Sequence, residues 1–243
     1  MPREDLMRRT TTLGTLAVAM AVGTALIAAS AAPAQAQQSF TLGYGQFSLK
    51  DVDSRIDHDV VLTNLDLFAI RVGDFDGRSL TGSWNVGIGD HLEAGLGLGF
   101  YQKTVPSVYA DYLNENGSEI VQDFRLRIVP ATATVRVLPF GRSALQPYFG
   151  VGVGMYAWRY AEFGEFIDFT DFSVFSDRFV ATGTDPGGII LGGVRLPVGD
   201  AWSIGVELQY HQATGVVGLE NGFLEDEIDL GGLMSQVTLG VRF

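Results

Sequence analysis

Cysteine is absent from this sequence of 243 residues, and lysine occurs only as Lys50 and Lys103. Without cysteine the chain can form neither a disulfide nor a lipid-modified cysteine anchor, so nothing covalent holds it in place. A sheet whose outer face meets water usually carries many lysines on that face and along its edges. The scarcity of lysine therefore argues against an ordinary water-exposed sheet.

Long apolar runs are also missing beyond residue 36, although 47% of the residues are hydrophobic. No later stretch approaches the ~20 apolar residues that a transmembrane helix needs, so any insertion into a membrane must use strands. Basic residues are few: 16 stand against 28 acidic residues, and the net charge is -12. This argues against nucleic acid as a partner, because there is no basic stripe to neutralise phosphates.

The first 36 residues have the organisation of a secretory signal. Arg8 and Arg9 precede an apolar stretch at 13–29, and the segment ends in Ala-Gln-Ala, the pattern of a signal-peptidase site. We predict cleavage before Gln37, so that residues 1–36 form a cleavable signal peptide and residues 37–243 a single exported domain. An uncleaved helical anchor is the alternative, because the apolar stretch is slightly longer than usual for a signal.

Alternation of apolar and polar residues, the signal of a strand, dominates the rest of the chain. It is clearest in residues 202–211, where one face is apolar and the other is polar or small. The alternating segments are about ten residues long, which suits tilted strands that cross a bilayer with their apolar faces outward. We predict eight strands, at residues 39–48, 79–89, 91–101, 122–138, 145–159, 187–197, 202–211 and 233–243.

The connections between these strands alternate strictly between short and long. The short ones lie at residues 89–90, 139–144 and 198–201, and the long ones at about 49–78, 102–121, 160–186 and 212–229. Outer-membrane barrels have brief periplasmic turns and extended outer loops. The sequence therefore predicts an all-β fold, an eight-stranded antiparallel up-and-down transmembrane β-barrel with both ends of the mature chain in the periplasm. A soluble lipocalin-like barrel would have the reverse pattern, with apolar residues inside.

One predicted strand, 122–138, departs from simple alternation. Its first half places the apolar Phe124, Leu126 and Ile128 outward, whereas its second half requires the even-numbered residues to face inward. Pro130 lies where the phase changes, so we predict a β-bulge there.

Aromatic residues at both ends of the predicted strands are typical of the girdles at membrane interfaces. The predicted periplasmic girdle contains Phe40, Phe140, Trp202 and Phe243. The predicted outer girdle contains Phe100, Phe124, Tyr156, Trp158 and Tyr210.

The chain ends on an aromatic residue with apolar residues at alternate positions before it: Val237, Leu239, Val241 and Phe243. This ending resembles the carboxyl-terminal signal of outer-membrane proteins that the barrel-assembly machinery reads. The mature chain as a whole is similar to the small outer-membrane β-barrel families, which include the outer-membrane protein A transmembrane domain, the opacity proteins and the W-type barrels. The resemblance implies an outer-membrane location among lipid and lipopolysaccharide, with the assembly machinery as a partner. It does not give a function, since these families differ in activity.

Five charged side chains fall on predicted inward faces, mostly towards the periplasmic end: Glu93, Arg136, Arg195, Glu207 and Arg242. Opposite charges in a narrow lumen must pair, because an unpaired buried charge is very costly. We predict a salt-bridge plug in the lumen. The alternative is a gated ion path lined by the same residues.

The third long loop carries phenylalanine at every third position: Phe163, Phe166, Phe169, Phe172 and Phe175. Such spacing aligns rings along one side of a helical turn. We predict that this stripe packs across the barrel mouth and orders the loop. The alternative is a binding site for a small apolar molecule, which the W-type barrels suggest by analogy.

Metal and enzyme chemistry have little support. Asp74 and Asp76 could hold calcium, but their run lacks the spacing of a calcium loop. The run Asp57-His58-Asp59 fits a polar loop tip, and His211 lacks the serine two residues later that a lipid deacylase of the outer membrane would have. We predict no enzymatic activity, no cofactor and no metal site.

The sequence thus favours a structural or surface-interaction role for a monomeric barrel whose lumen is closed by charged residues. A narrow channel or transporter for small apolar molecules is the alternative. Most acidic residues fall in the long loops, which predicts a solvated outer surface of negative charge.

Overall fold

A computed structural model describes residues 37–243, and the predicted signal peptide lies outside them. The described part contains nine strands: β1 (Gln38–Leu49), β2 (Gly77–Ile88), β3 (Leu92–Leu113), β4 (Glu119–Val137), β5 (Gln146–Ile167), β6 (Val174–Val198), β7 (Trp202–Val216), β8 (Glu227–Asp229) and β9 (Gly232–Arg242). A single α-helix among these residues, α1 (Val60–Leu67), lies between β1 and β2.

Eight of the strands close into a ring. From β1 to β7 each strand pairs antiparallel with the next, and β9 closes the ring between β7 and β1. The short strand β8 only extends the far end of β7. The predicted eight-stranded antiparallel barrel is therefore confirmed. Among residues 37–243, no helix is long and apolar enough to span a bilayer.

Three tight turns and both ends of the described residues 37–243 lie at one end of the barrel, which we call the turn end. Gly89 and Gly199 adopt positive φ angles of 67° and 64° in two of these turns, a conformation that residues with a Cβ rarely adopt. The backbone of Gln38 donates to the carbonyl of Phe243 at 3.2 Å, and Phe243 donates back at 3.0 Å. The first and last strands are thus joined down to their ends.

The opposite end, which we call the loop end, extends further than the sequence predicted. Strands β3 and β4 meet at a tip of residues 114–118, and β5 and β6 meet at residues 168–173. The predicted loops 102–121 and 160–186 are therefore mostly strand. The other two connections are true loops, which we call loop 1 (residues 50–76) and loop 4 (residues 217–231).

The outward wall near the turn end is a continuous apolar belt. In β7 the outward side chains are Trp202, Ile204, Val206, Leu208 and Tyr210, and all are exposed on the outside of the barrel. The predicted periplasmic girdle is exposed as expected, with Phe40, Phe140, Trp202 and Phe243 on the surface. This half of the barrel has the arrangement that lipid requires.

The prediction for β4 is wrong. Its pairing with β5 runs without a register shift from Gln122 opposite Gly164 to Val137 opposite Phe149, so Pro130 marks no bulge. Phe124, Leu126 and Ile128 therefore face inward and are buried. The reason is that the interior changes character along the barrel: it is polar near the turn end and apolar near the loop end.

The same change corrects the predicted outer girdle. Phe100 and Tyr210 are exposed on the wall, but Phe124, Tyr156 and Trp158 lie inside the barrel. They belong to a buried apolar cluster that the wall forms with loops 1 and 4.

Candidate functional site in the barrel interior

Four charged side chains from four strands meet across the interior near the turn end. The carboxylate of Glu93 on β3 accepts two hydrogen bonds from Arg195 on β6, at 3.0 and 3.1 Å. Arg136 on β4 places its Nη2 atom 3.4 Å from Oε2 of Glu207 on β7. All four residues are buried, with at most 7% of their surface exposed. The two acids and two bases therefore compensate one another in an environment where a single charge would be costly.

Tyr148 on β5 holds this group together. Its hydroxyl donates to Oε2 of Glu207 at 2.8 Å, and the guanidinium carbons of Arg136 and Arg195 each lie 5.3 Å from the centre of its ring. Such cation–π contacts strengthen when water is excluded. We call these five residues the ion-pair layer.

Two glutamines donate hydrogen bonds to the second carboxylate oxygen of Glu207 in the ion-pair layer. Gln209 and Gln236 donate to Oε1 of Glu207 at 2.6 and 2.8 Å. Beside them the interior leaves a cavity of about 20 Å³, which is room for about one water molecule. The ion-pair layer is therefore both hydrogen-bonded and closely packed.

Arg242 does not join the predicted charge group. It lies at the turn end of β9 and forms no ion pair with the described residues. Its Nε atom is buried without a hydrogen-bond partner among them. The structure thus brings together four of the five predicted charges and leaves Arg242 apart.

Loop 1 fills the interior at the loop end. Val60 and Val61 of α1, together with Phe75, are fully buried. They pack in one apolar cluster with inward residues of the wall such as Phe124 and Leu126. Loop 4 contributes Val217, Phe223, Ile228 and Leu230 to the same cluster. We call this cluster the apolar plug.

A second group of paired charges fastens the two loops to each other. Asp229 of β8 accepts from Lys50 at 2.9 Å, and its backbone carbonyl accepts from Arg55 at 2.8 Å. Arg55 also pairs with Asp59, whose carboxylate caps α1 through the backbone of Val61 at 3.2 Å. Asp59 is therefore buried and structural, and the expectation of a polar loop tip holds only for Asp57 and His58, which are exposed.

One buried carboxyl in the apolar plug has no cation beside it. Glu162 of β5 accepts from the amide of Asn64 on α1 at 2.6 Å, and Asn64 also donates to the hydroxyl of Tyr160 at 3.0 Å. Burial raises the pKa of Glu162 to about 7, while the hydrogen bonds from Asn64 and Tyr160 oppose part of the shift. The group lies towards the loop end, well beyond the apolar belt.

The phenylalanine stripe is a β-hairpin rather than a helical turn. Phe166 on β5 lies directly opposite Phe175 on β6, and Phe166 is buried whereas Phe169 and Phe172 are exposed at the tip. Phe163 instead lies on the outer wall, with Arg125 5.1 Å from its ring centre. Because alternate residues of a strand face opposite ways, a three-residue spacing cannot align the rings.

The remaining predicted residues have separate places. Val237 and Leu239 face outward on β9, ahead of the exposed Phe243. Asp74 accepts from the backbone of Arg71 at 2.8 Å, and Asp76 accepts from Ser48 at 3.0 Å. Among residues 37–243, no three histidine or acidic side chains are grouped to hold a metal.

Tyr148, Asn64 and Glu162 are among the interior residues that sequence reasoning missed. Tyr148 alternates with inward Gly150 and Gly152, so its phase could have been found from the pattern of β5. Glu162 lies in a segment that the sequence assigned to a loop, and Asn64 in a helix that was not predicted. Neither carried a recognisable signal.

The chain matches the family described as Outer membrane protein beta-barrel domain over residues 22–243. Among solved structures it is similar to OprG from Pseudomonas aeruginosa, at 10% identity and a TM-score of 0.48, covering 86% of this chain and 96% of that one. It is also similar to Neisserial surface protein A, at 14% identity and a TM-score of 0.44, covering 85% and 97%. No curated protein sequence matches the chain significantly.

Proposed function

The chain belongs to the family of outer membrane protein β-barrel domains, and from this premise we propose that it is a closed barrel with a structural or surface-interaction role. In this family's setting the turn end faces the periplasm and the loop end faces outward. Removal of residues 1–36 before Gln37 forms part of the proposal. The site residues act by closing the lumen, and they carry out no reaction.

The observation that carries the proposal is that the interior is filled at two successive depths. Near the turn end the ion-pair layer spans the lumen between β3, β4, β6 and β7. Nearer the loop end the apolar plug occupies it, and the cavity beside Tyr101 and Met234 measures about 10 Å³. Neither space admits a solute larger than water.

The loop end supplies the surface for an interaction. Its exposed side chains include many acids, such as Asp57, Asp168 and Asp171. At the tip of the β5–β6 hairpin Phe169 and Phe172 are 47% and 63% exposed, and Phe169 contacts Tyr112 at 5.8 Å between ring centres. Exposed aromatic rings on a polar surface favour contact with another molecule.

The same exposed rings support the second candidate, a narrow transporter for small apolar molecules. In that case the hairpin tip would capture the ligand first, and loops 1 and 4 would have to move for it to pass. The two functions differ in whether the interior opens.

Ion conductance and ligand binding separate the two candidates. We expect the purified barrel in a planar bilayer to carry no large, steady current. A variant with residues 51–76 replaced by a short glycine-serine turn should also carry no such current, because the ion-pair layer still closes the lumen. Large, steady conductance of the native protein would refute the closed barrel. Saturable binding of an apolar fluorescent probe that Phe169→Ser/Phe172→Ser abolishes, with small conductance that the probe blocks, would instead support transport.

A further inference from the structure

Four arginines lie on the outer wall just beyond the apolar belt. Arg125 and Arg127 are on β4, Arg159 is on β5 and Arg178 is on β6. Their register places them on the outward side: Arg127 has the same orientation on β4 as Val135 and Val137, which are exposed on the belt. We call these four residues the arginine patch.

The pairing of β4 with β5 sets two like charges against each other. Arg127 lies directly opposite Arg159. Like charges at directly opposed positions destabilise a sheet, and none of the four arginines forms an ion pair within residues 37–243. This clustering is conspicuous in a chain whose net charge is -12.

The surroundings hold two of the arginines in place without neutralising them. Arg125 donates from Nε to the hydroxyl of Thr104 at 3.0 Å. The guanidinium carbons of Arg125 and Arg178 lie 5.1 and 5.6 Å from the ring centre of Phe163. Ala161 on β5 pairs directly with Arg125 on β4. Ala161 is only 1% exposed, so the larger side chains around it cover this position. The nearby acid Asp123 lies at the edge of the arginine patch that is nearer the loop end, where it pairs with Phe163 on β5.

Position and charge together identify the complementary ligand. Next to the patch, on its side nearer the turn end, the wall of β5 is apolar at Met155, Val153 and Val151, whose side chains are exposed. An amphiphile with an anionic head and several acyl chains would place its head on the arginines and its chains on this wall. Arginine's planar donors suit phosphate oxygens in particular.

We propose that the arginine patch binds the phosphate groups of a phosphorylated glycolipid of the outer leaflet, whose acyl chains lie along the apolar belt. The proposal rests on the outward orientation of the loop end given above. It does not require the lumen to be closed, so the two proposals can fail separately.

Lipid titration of the folded barrel in detergent micelles tests the proposal. We expect bis-phosphorylated lipid A to bind the native protein saturably, and Arg127→Gln/Arg159→Gln to bind it on the order of tenfold more weakly, the loss of one or two charge-assisted hydrogen bonds. Arg127→Lys/Arg159→Lys should bind with an affinity between those of the native protein and the glutamine variant, because the positive charge remains but the paired donors of the guanidinium are lost. Dephosphorylated lipid A should bind the native protein as weakly as the glutamine variant binds lipid A.

A matched control removes two charges elsewhere. Arg71→Gln/Arg142→Gln alters loop 1 and the turn end and should leave binding unchanged, while circular dichroism checks that every variant is folded. Equal affinity of the native protein and Arg127→Gln/Arg159→Gln would overturn the proposal. So would an equal loss in the control variant, or displacement of lipid A by inorganic pyrophosphate at equal concentration, which would indicate a site for soluble anions.

Discussion

At the scale of single residues, Glu162 shows how the interior of the loop end differs from that of the turn end. Near the turn end each buried acid has an arginine partner, whereas Glu162 has only the amide of Asn64 and the hydroxyl of Tyr160. A carboxyl in such a place is stable when it keeps its proton. The attachment of α1 to the wall should therefore depend on pH.

Replacing Glu162 with glutamine should remove this dependence. Burial raises the pKa of Glu162 from 4.5 to about 7. Between these two pH values Glu162 is protonated in the closed plug and deprotonated once the plug has opened. The stability of the closed plug therefore falls as pH rises through this window, by about 1.4 kcal/mol per pH unit. We expect hydrogen exchange of the α1 amides to be faster at pH 8 than at pH 5 in the native protein, after correction for the intrinsic rate.

The same exchange measurement on Glu162→Gln should give equal protection at both pH values, because the amide mimics the protonated acid. Glu165→Gln serves as the control, since Glu165 lies on the same strand, is only partly buried, and forms no ion pair within residues 37–243. A native protein whose α1 protection does not change between pH 5 and pH 8 would contradict the assignment.

At the scale of elements, the strands could be predicted from the sequence, whereas the packing of the interior at the loop end could not. Alternation located all eight barrel strands because lipid imposes an apolar outer face over about ten residues. Beyond the membrane that constraint ends, so the outer parts of β3 to β6 resemble loops in sequence although they continue the sheet. In β4 the rule that apolar residues face outward placed Phe124, Leu126 and Ile128 on the wrong side, since here they pack against loop 1.

The last strand, β9, carries the next prediction. Phe243 is exposed beyond β9 and its backbone pairs with Gln38, so its side chain is not part of the core, and we propose that the assembly machinery recognises it. Deleting it or changing it to aspartate should greatly reduce the amount of barrel in the outer membrane. Arg242→Gln, the control at the adjacent position, should have a much smaller effect. Immunoblots of outer-membrane fractions would decide, and equal amounts of the Phe243 variants and the parent would contradict the prediction.

At the scale of the whole molecule, the hydrogen-bonded ring predicts an unusual resistance to detergent. Within the ring each of the eight wall strands has a partner on both sides, so the ring has no free edge. The parts of β3 and β6 that extend beyond the ring pair with one strand only. The mature protein should fractionate with the outer membrane, begin at Gln37, and migrate faster on a detergent gel unheated than after boiling. Recovery from the soluble periplasmic fraction, or identical migration before and after boiling, would refute the barrel in the membrane.

The candidate site was predictable only in part, for a physical reason. Alternation placed Glu93, Arg136, Arg195, Glu207 and Arg242 on inward faces, and the need to compensate charge in a narrow lumen predicted that they pair. The ion pairs form among the first four residues and leave out Arg242. Loop residues obey no such periodic rule, so Asp59 and Asp229 gave no sign that they fasten loop 1 to loop 4. The contacts of Tyr148 likewise depend on the diameter of the barrel, which a single strand does not encode.

Filling the interior at two depths has a consequence for how the outer surface can change over time. The ion-pair layer lies nearer the turn end than loops 1 and 4 and shares no residue with them. In the closed barrel that we propose, we therefore expect the exposed tips to tolerate sequence change without loss of the barrier to solutes.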